Sequence, residues 1–233
     1  MSEEAIRGPS VAHGGTERGG ASSFRHAVLH RLGARVAARL RASWAEIESQ
    51  IAEEAGRLRQ THPSNPQGRG PSEWLERACL ILAAYRALSA LGEPASRVLE
   101  DLRAAVVEHF REGADQYLAA RFGIEGRTGE DAFARIAANF KTRGEARFGP
   151  AFKYAQDVQD ATRSFITIQR CGYFDFFRAH GAAEATRVFC ALDIAWAGEL
   201  TRRRYPVSFE RPTTIAQGDD ACRFQFTRST VTP

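Results

Sequence analysis

The 233-residue sequence is poor in lysine: Lys141 and Lys153 are its only two. Arginine therefore carries nearly all of the positive charge, and the net charge is only +4. No basic stripe of the kind that follows a phosphate backbone is present, so nucleic acid is not an expected partner. The tightest group, Arg202 to Arg204, falls where a helix is expected to end and where cations offset the helix dipole. Cysteine is also scarce, at four residues, which excludes a disulfide scaffold and fits free thiols in a reducing compartment. No apolar run approaches the eighteen or so residues a membrane helix needs. The first residues, MSEEAIRGPS, carry acids and no apolar segment, unlike a secretory leader. A cytoplasmic protein with no membrane partner is expected.

Familiar ligand loops are missing too. There is no GxxxxGK[ST], no GxGxxG after a strand and no GxSxG elbow, which disfavours phosphate-loop, dinucleotide and α/β-hydrolase sites. The histidines have no HExxH spacing and the cysteines no short CxxC spacing, so neither a metal centre nor a cofactor is expected.

What is present reads as one domain with a tail. Residues 1–22 are polar and glycine-rich and are expected to be loosely attached. Residues 23–233 are expected to form a single α+β domain, helical over about 23–145 and strand–helix–helix–hairpin over about 160–228. Val28, Leu32, Val36 and Leu40, continued by Trp44, Ile47 and Ile51, suggest one long amphipathic helix to about Leu58, bent at Gly33. That helix could pair with a second copy of the chain. Residues 61–72 read as a loop, and helices follow from Glu73 to near Gly92 and from Pro94 towards Phe122. A short helix is expected over 130–140, after which the character changes near Gly144. Residues 162–169 read as a strand, 172–180 and 183–203 as helices joined at Gly181. Residues 206–216 and 221–228 read as a hairpin turning at Gln217–Asp220, so the small sheet is mainly antiparallel.

Three of the cysteines lie in this last part. Cys171 falls at the start of a helix, where free N–H groups and the helix dipole lower a thiol pKa, or else it is simply a small buried residue. Asp193 interrupts the apolar run Val188–Trp196, and a buried carboxylate needs a partner or a task. Cys190 lies one turn earlier on the same helical face. Asp193 is either a general acid or base of raised pKa or half of a structural ion pair with an arginine.

These residues also fall in a recognisable order. Arg170-Cys171 followed by Phe174, Phe177 and Gly181, then Phe189-Cys190-Ala191-Leu192-Asp193, then the stretch from Arg211 through Thr214, Gly218 and Cys222 to Phe226 resemble the L-2-amino-thiazoline-4-carboxylic acid hydrolase family. The likeness spans roughly residues 70–228. It implies a hydrolase that opens a small heterocyclic ring at an amidine-like C–N bond, with a small-molecule heterocycle as its partner. Cys171 is the first choice of nucleophile, with Cys190 or Cys222 in reserve, and Asp193 moves protons. Arg170 or Arg211 would hold a substrate carboxylate, while Thr214 and the turn at Gly218 would supply donors. Alternatively, Cys and Asp activate water with no covalent intermediate. The rival reading is a non-catalytic, sensor-like domain that binds a small ligand.

Overall fold

The computed structural model describes residues 17–62, 72–125 and 132–229. Most of the expected tail and of the loop over 61–72 lies outside these residues, although the first helix already begins at Glu17. Helices α1 (Glu17–Val36), α2 (Trp44–Thr61), α3 (Glu73–Ala90), α4 (Ala95–Glu112), α5 (Ala114–Phe122) and α6 (Ala132–Phe148) precede the strands β1 (Lys153–Gln159) and β2 (Arg163–Arg170). Then come α7 (Gly172–Ala179), α8 (Thr186–Arg202), β3 (Val207–Glu210) and β4 (Cys222–Arg228). The sheet order is β1-β2-β4-β3, and every neighbouring pair is antiparallel. The fold is α+β, as the alternation of periodicities implies.

Apolar spacing explains where each element sits. On α4, Val98, Leu102, Val106 and Phe110 form one stripe and are all buried. On α3 the whole run Ala78–Ala84 is buried, because α1, α2, α4 and α7 all pack around that helix. On β4, Cys222, Phe224 and Phe226 alternate onto the inner face, and Phe226 meets Phe140, Trp196 and Phe209. Val28, Leu32 and Val36 are fully buried, because α1 packs on α3 and α4.

Four sequence readings are corrected. The long first helix is two helices, separated by a short 3-10 turn and an extended link around Leu40. Gly33 does not interrupt α1, and its missing side chain leaves room for the Trp44 indole. The helix expected over 130–140 runs on to Phe148, passing Gly144 because the Tyr154 ring lies 2.8 Å from where a Cβ would stand. Strand β1 went unrecognised because it is a sheet edge with only Tyr154 buried, so its pattern hardly alternates. The hairpin is real but β3 is only four residues long. Residues 211–221 form a connection containing a 3-10 turn at Ile215–Gln217 and a left-handed Gly218 at φ 101°.

Candidate active site

The end of β2, the middle of α8 and the start of β4 meet below the sheet. Their side chains Cys171, Cys190, Asp193 and Cys222 all line one cavity of about 100 Å³, together with Tyr117, Phe140, Tyr154, Tyr173 and Phe189. Chain connectivity explains this convergence. Cys222 pairs across the ladder with Ile168, three residues before Cys171. On α8, Cys190 and Asp193 are one turn apart. All four cysteines are free thiols.

Asp193 is held from two sides. Its Oδ1 accepts the Trp196 indole N–H at 3.2 Å and its Oδ2 accepts Arg211 Nη1 at 2.5 Å. The same Nη1 also donates to the Cys190 carbonyl at 3.2 Å, which ties the segment after β3 to α8. Burial pushes the Asp193 carboxyl above the ordinary aspartate range, and Arg211 only partly offsets it. Of the two readings left open above, the ion pair is therefore present and the raised pKa is present with it.

The thiols behave differently from the sequence expectation. Cys171 does cap the start of α7, and the N–H groups of Phe174 and Tyr173 favour its thiolate. Burial outweighs them, so the Cys171 thiol lies well above its usual pKa rather than below it. Cys190 is pushed up to about 12 by burial and by the nearby Asp193 charge. Cys222 is also raised by burial, against a backbone N–H from Ile215 that donates to its sulfur at 3.3 Å. In this cavity, desolvation is the larger effect.

The expected substrate-holding residues fall elsewhere. Arg170 points to solvent, 60% exposed, with Nε 2.9 Å from Asp175. Arg211 reaches the site only through Asp193 and Cys190. Thr214 is buried in the connection before β4, where its N–H donates to Asp219 at 2.8 Å, and Gly218 is an exposed turn. Neither lines the cavity; both shape the connection that brings the Ile215 N–H onto Cys222.

Three arginines line the cavity that sequence reasoning did not single out: Arg77, Arg121 and Arg147. Arg77 and Arg147 both pair with Glu73. Arg121 is buried, and its guanidinium lies 4.2 Å from the centre of the Phe140 ring. A signal was available: Ala114, Leu118, Arg121 and Phe122 share the buried face of α5, and a cation on an apolar face needs an explanation. Among the described residues, no group of three or more His, Cys, Asp or Glu side chains is arranged to hold a metal ion, and no helix is long and apolar enough to cross a membrane.

The family model for L-2-amino-thiazoline-4-carboxylic acid hydrolase matches residues 73–226 and so takes in the whole of this cavity's lining. The chain belongs to that family. No curated protein matches the sequence. Among solved structures, the chain is similar to an H-NOX domain from Shewanella oneidensis determined by NMR in the Fe(II)CO state. That likeness has 8% identity and a TM-score of 0.36, and covers 79% of this chain and 95% of that one. A crystal structure of an H-NOX protein from S. oneidensis in the Fe(II)NO state gives 10% identity and a TM-score of 0.35, over 89% and 99% of the two chains. Similarity this slight leaves the function to be argued from the family and from the cavity itself.

Proposed function

We propose that this family member is a hydrolase that opens a small heterocyclic ring at an amidine-like C–N bond inside the thiol-lined cavity. The observation that carries this reading is the placement of Asp193, a carboxyl of raised pKa, among three free thiols in one largely apolar hollow. Ring opening requires an oxygen or sulfur to bond to the amidine carbon, the ring C–N bond to break and the departing nitrogen to take a proton; on the sulfur route a water must then cleave the new S–C bond, releasing the product and restoring the thiol. Asp193 is suited to the proton work, because a carboxyl with an elevated pKa holds its proton nearer to neutral pH than an ordinary aspartate. Arg211 and Trp196 fix its orientation. The thiols, being hard to ionise, favour the route in which water attacks the ring carbon directly. A thiol attack would need its proton removed within the same step.

Mass spectrometry of a panel of cyclic amidines, thiazolines and lactams tests this. Turnover adds the mass of one water to a substrate, and Asp193→Asn should lower kcat by roughly 10²–10⁴-fold if it moves the proton. Cys171→Ser should retain much of the rate on the water route and lose it on the thiol route. A cavity that binds these rings but opens none of them would establish the sensor-like reading instead. Full turnover in the Asp193 variant would remove the assignment of that residue.

A further inference from the structure

The charges around the cavity do not balance. Four guanidiniums, those of Arg77, Arg121, Arg147 and Arg211, face two carboxylates, Glu73 and Asp193. Arg211 is matched by Asp193, and Arg77 and Arg147 share Glu73. Arg121 has no such close counterpart: among the described residues no carboxylate lies within ion-pair distance of it, and Asp193, already paired with Arg211, acts on it only from further away. Its Nη1 donates to the Phe140 carbonyl at 2.7 Å, and its Nε and Nη2 meet no acceptor among the described residues. Only 6% of the residue is exposed. A guanidinium cannot shed its proton to escape burial, so a site that holds one this way is incomplete without an anion.

A second group in the lining has the same need. Thr186 is 1% exposed, and its hydroxyl has no hydrogen-bond partner. Buried polar atoms are nearly always satisfied, and an orphan in a cavity wall marks a place where a ligand atom belongs. The remaining wall is mostly aromatic and aliphatic, which suits the body of a small ring and leaves its charged substituent to Arg121.

We propose that Arg121 is the anion-binding residue of this cavity and takes the carboxylate of a small heterocyclic acid. The inference rests on the reading that this cavity is the substrate site, and it replaces Arg170 and Arg211 in that role. A flat guanidinium with two free donors matches a carboxylate through paired hydrogen bonds, whereas a neutral ring would leave the cation unmatched. Selectivity for acids over their neutral analogues follows. The surplus of two positive charges also means that the carboxylate of Asp193 does not exclude a second anion.

Calorimetric titration of the full chain with thiazole-4-carboxylate and with thiazole-4-carboxamide tests this without relying on turnover, since neither aromatic ring carries the amidine to be opened. The wild type should bind the acid at least tenfold more tightly than the amide. Arg121→Met should abolish that preference by weakening the acid and leaving the amide nearly unchanged, and Arg121→Lys should restore part of it. Arg163→Gln, at the exposed start of β2, should behave as wild type. Equal affinity of the wild type for both probes, or a preference that survives in Arg121→Met, would overturn the proposal. So would displacement of the acid by an equal concentration of sulfate, which would show a site for any small anion. If Arg121→Met does not fold, the wild-type Arg121 Nε–H resonance decides: it should shift on adding the acid and stay still on adding the amide, and no shift with the acid refutes the assignment. Acid-selective binding without ring opening would leave Arg121 in place and remove the hydrolase reading. Ring opening with equal use of acids and amides would do the reverse.

Discussion

Removing Arg211 offers a direct measure of the partly buried pair at the centre of this site. In Arg211→Met the stem can still pack, but Asp193 loses the cation 2.5 Å from its Oδ2. The carboxyl then has two options: stay charged in a desolvated site, or take up a proton. The second option sets a ceiling on the cost. Keeping a proton on an aspartate of unfolded pKa near 3.9 costs about 1.4 kcal/mol for each pH unit above that value. The ceiling is therefore about 3 kcal/mol at pH 6, about 1.5 kcal/mol at pH 5 and close to zero at pH 4. Asp193 is already raised in the wild type, so the titrating part of the change should fall below these limits. The direction follows from linkage. A carboxyl whose folded pKa is raised gives its full stability below the unfolded pKa and loses it as pH climbs through the folded value. The variant raises that folded value further, so the gap between wild type and variant must widen from pH 4 to pH 6. A smaller, pH-independent loss of about 1 kcal/mol comes from the missing bond to the Cys190 carbonyl. Urea denaturation of both proteins across this range separates the two terms, since the difference between them cancels groups titrating elsewhere. A gap of constant size would refute the pairing of Asp193 with Arg211, and a gap that narrows with rising pH would refute the claim that Arg211 lowers the Asp193 pKa.

Two further perturbations probe the same architecture. Iodoacetamide at pH 8 should label Cys171, Cys190 and Cys222 at least tenfold more slowly in the folded chain than in urea, because burial raises all three thiols; mass spectrometry of tryptic peptides reads this out, and rapid labelling of Cys171 would restore the helix-start expectation. Gly144→Ala should destabilise the chain by about 1–3 kcal/mol in urea melts despite the better helix propensity of alanine. The added Cβ would stand 2.8 Å from the Tyr154 ring atoms, so a neutral or stabilising result would mean that β1 does not lie against α6 as described.

The sequence was most legible where one periodicity ran uninterrupted. The α4 stripe and the alternation Cys222, Phe224, Phe226 each exposed their buried face directly, and the order of cysteines and Asp193 pointed to the family. Glycine was the misleading residue. Gly33 and Gly144 look like punctuation, yet both are helical positions where a neighbour's ring comes too close for a Cβ. Strand β1 was silent because an edge strand with one buried side chain has little to alternate. The site was legible in part for a related reason. Cys171, Cys190, Asp193 and Cys222 lie in the C-terminal part whose pattern is clear. Arg77, Arg121 and Arg147 come from α3, α5 and α6, and only tertiary packing brings them to the same wall. Arg170, next to a cysteine in sequence, attracted attention that belonged to Arg121, 49 positions earlier on α5.

The same distinction decides how Cys171 should be understood. Position at a helix start is a local property and favours a thiolate, whereas burial is a tertiary property and opposes it. Here the N–H groups of Tyr173 and Phe174 are in place, and the thiol is raised all the same. For Cys190, a pKa of about 12 leaves about one thiolate in 10⁵ at neutral pH. A resting thiolate is therefore a poor candidate for the attacking group, and any covalent route has to couple attack to proton removal. Asp193 is the carboxyl in the lining placed to do that, and it can serve a water molecule equally well. Both routes thus converge on one acid rather than on one cysteine. Burial that suppresses the thiols is also what lifts Asp193 towards the pH at which proton transfer is efficient.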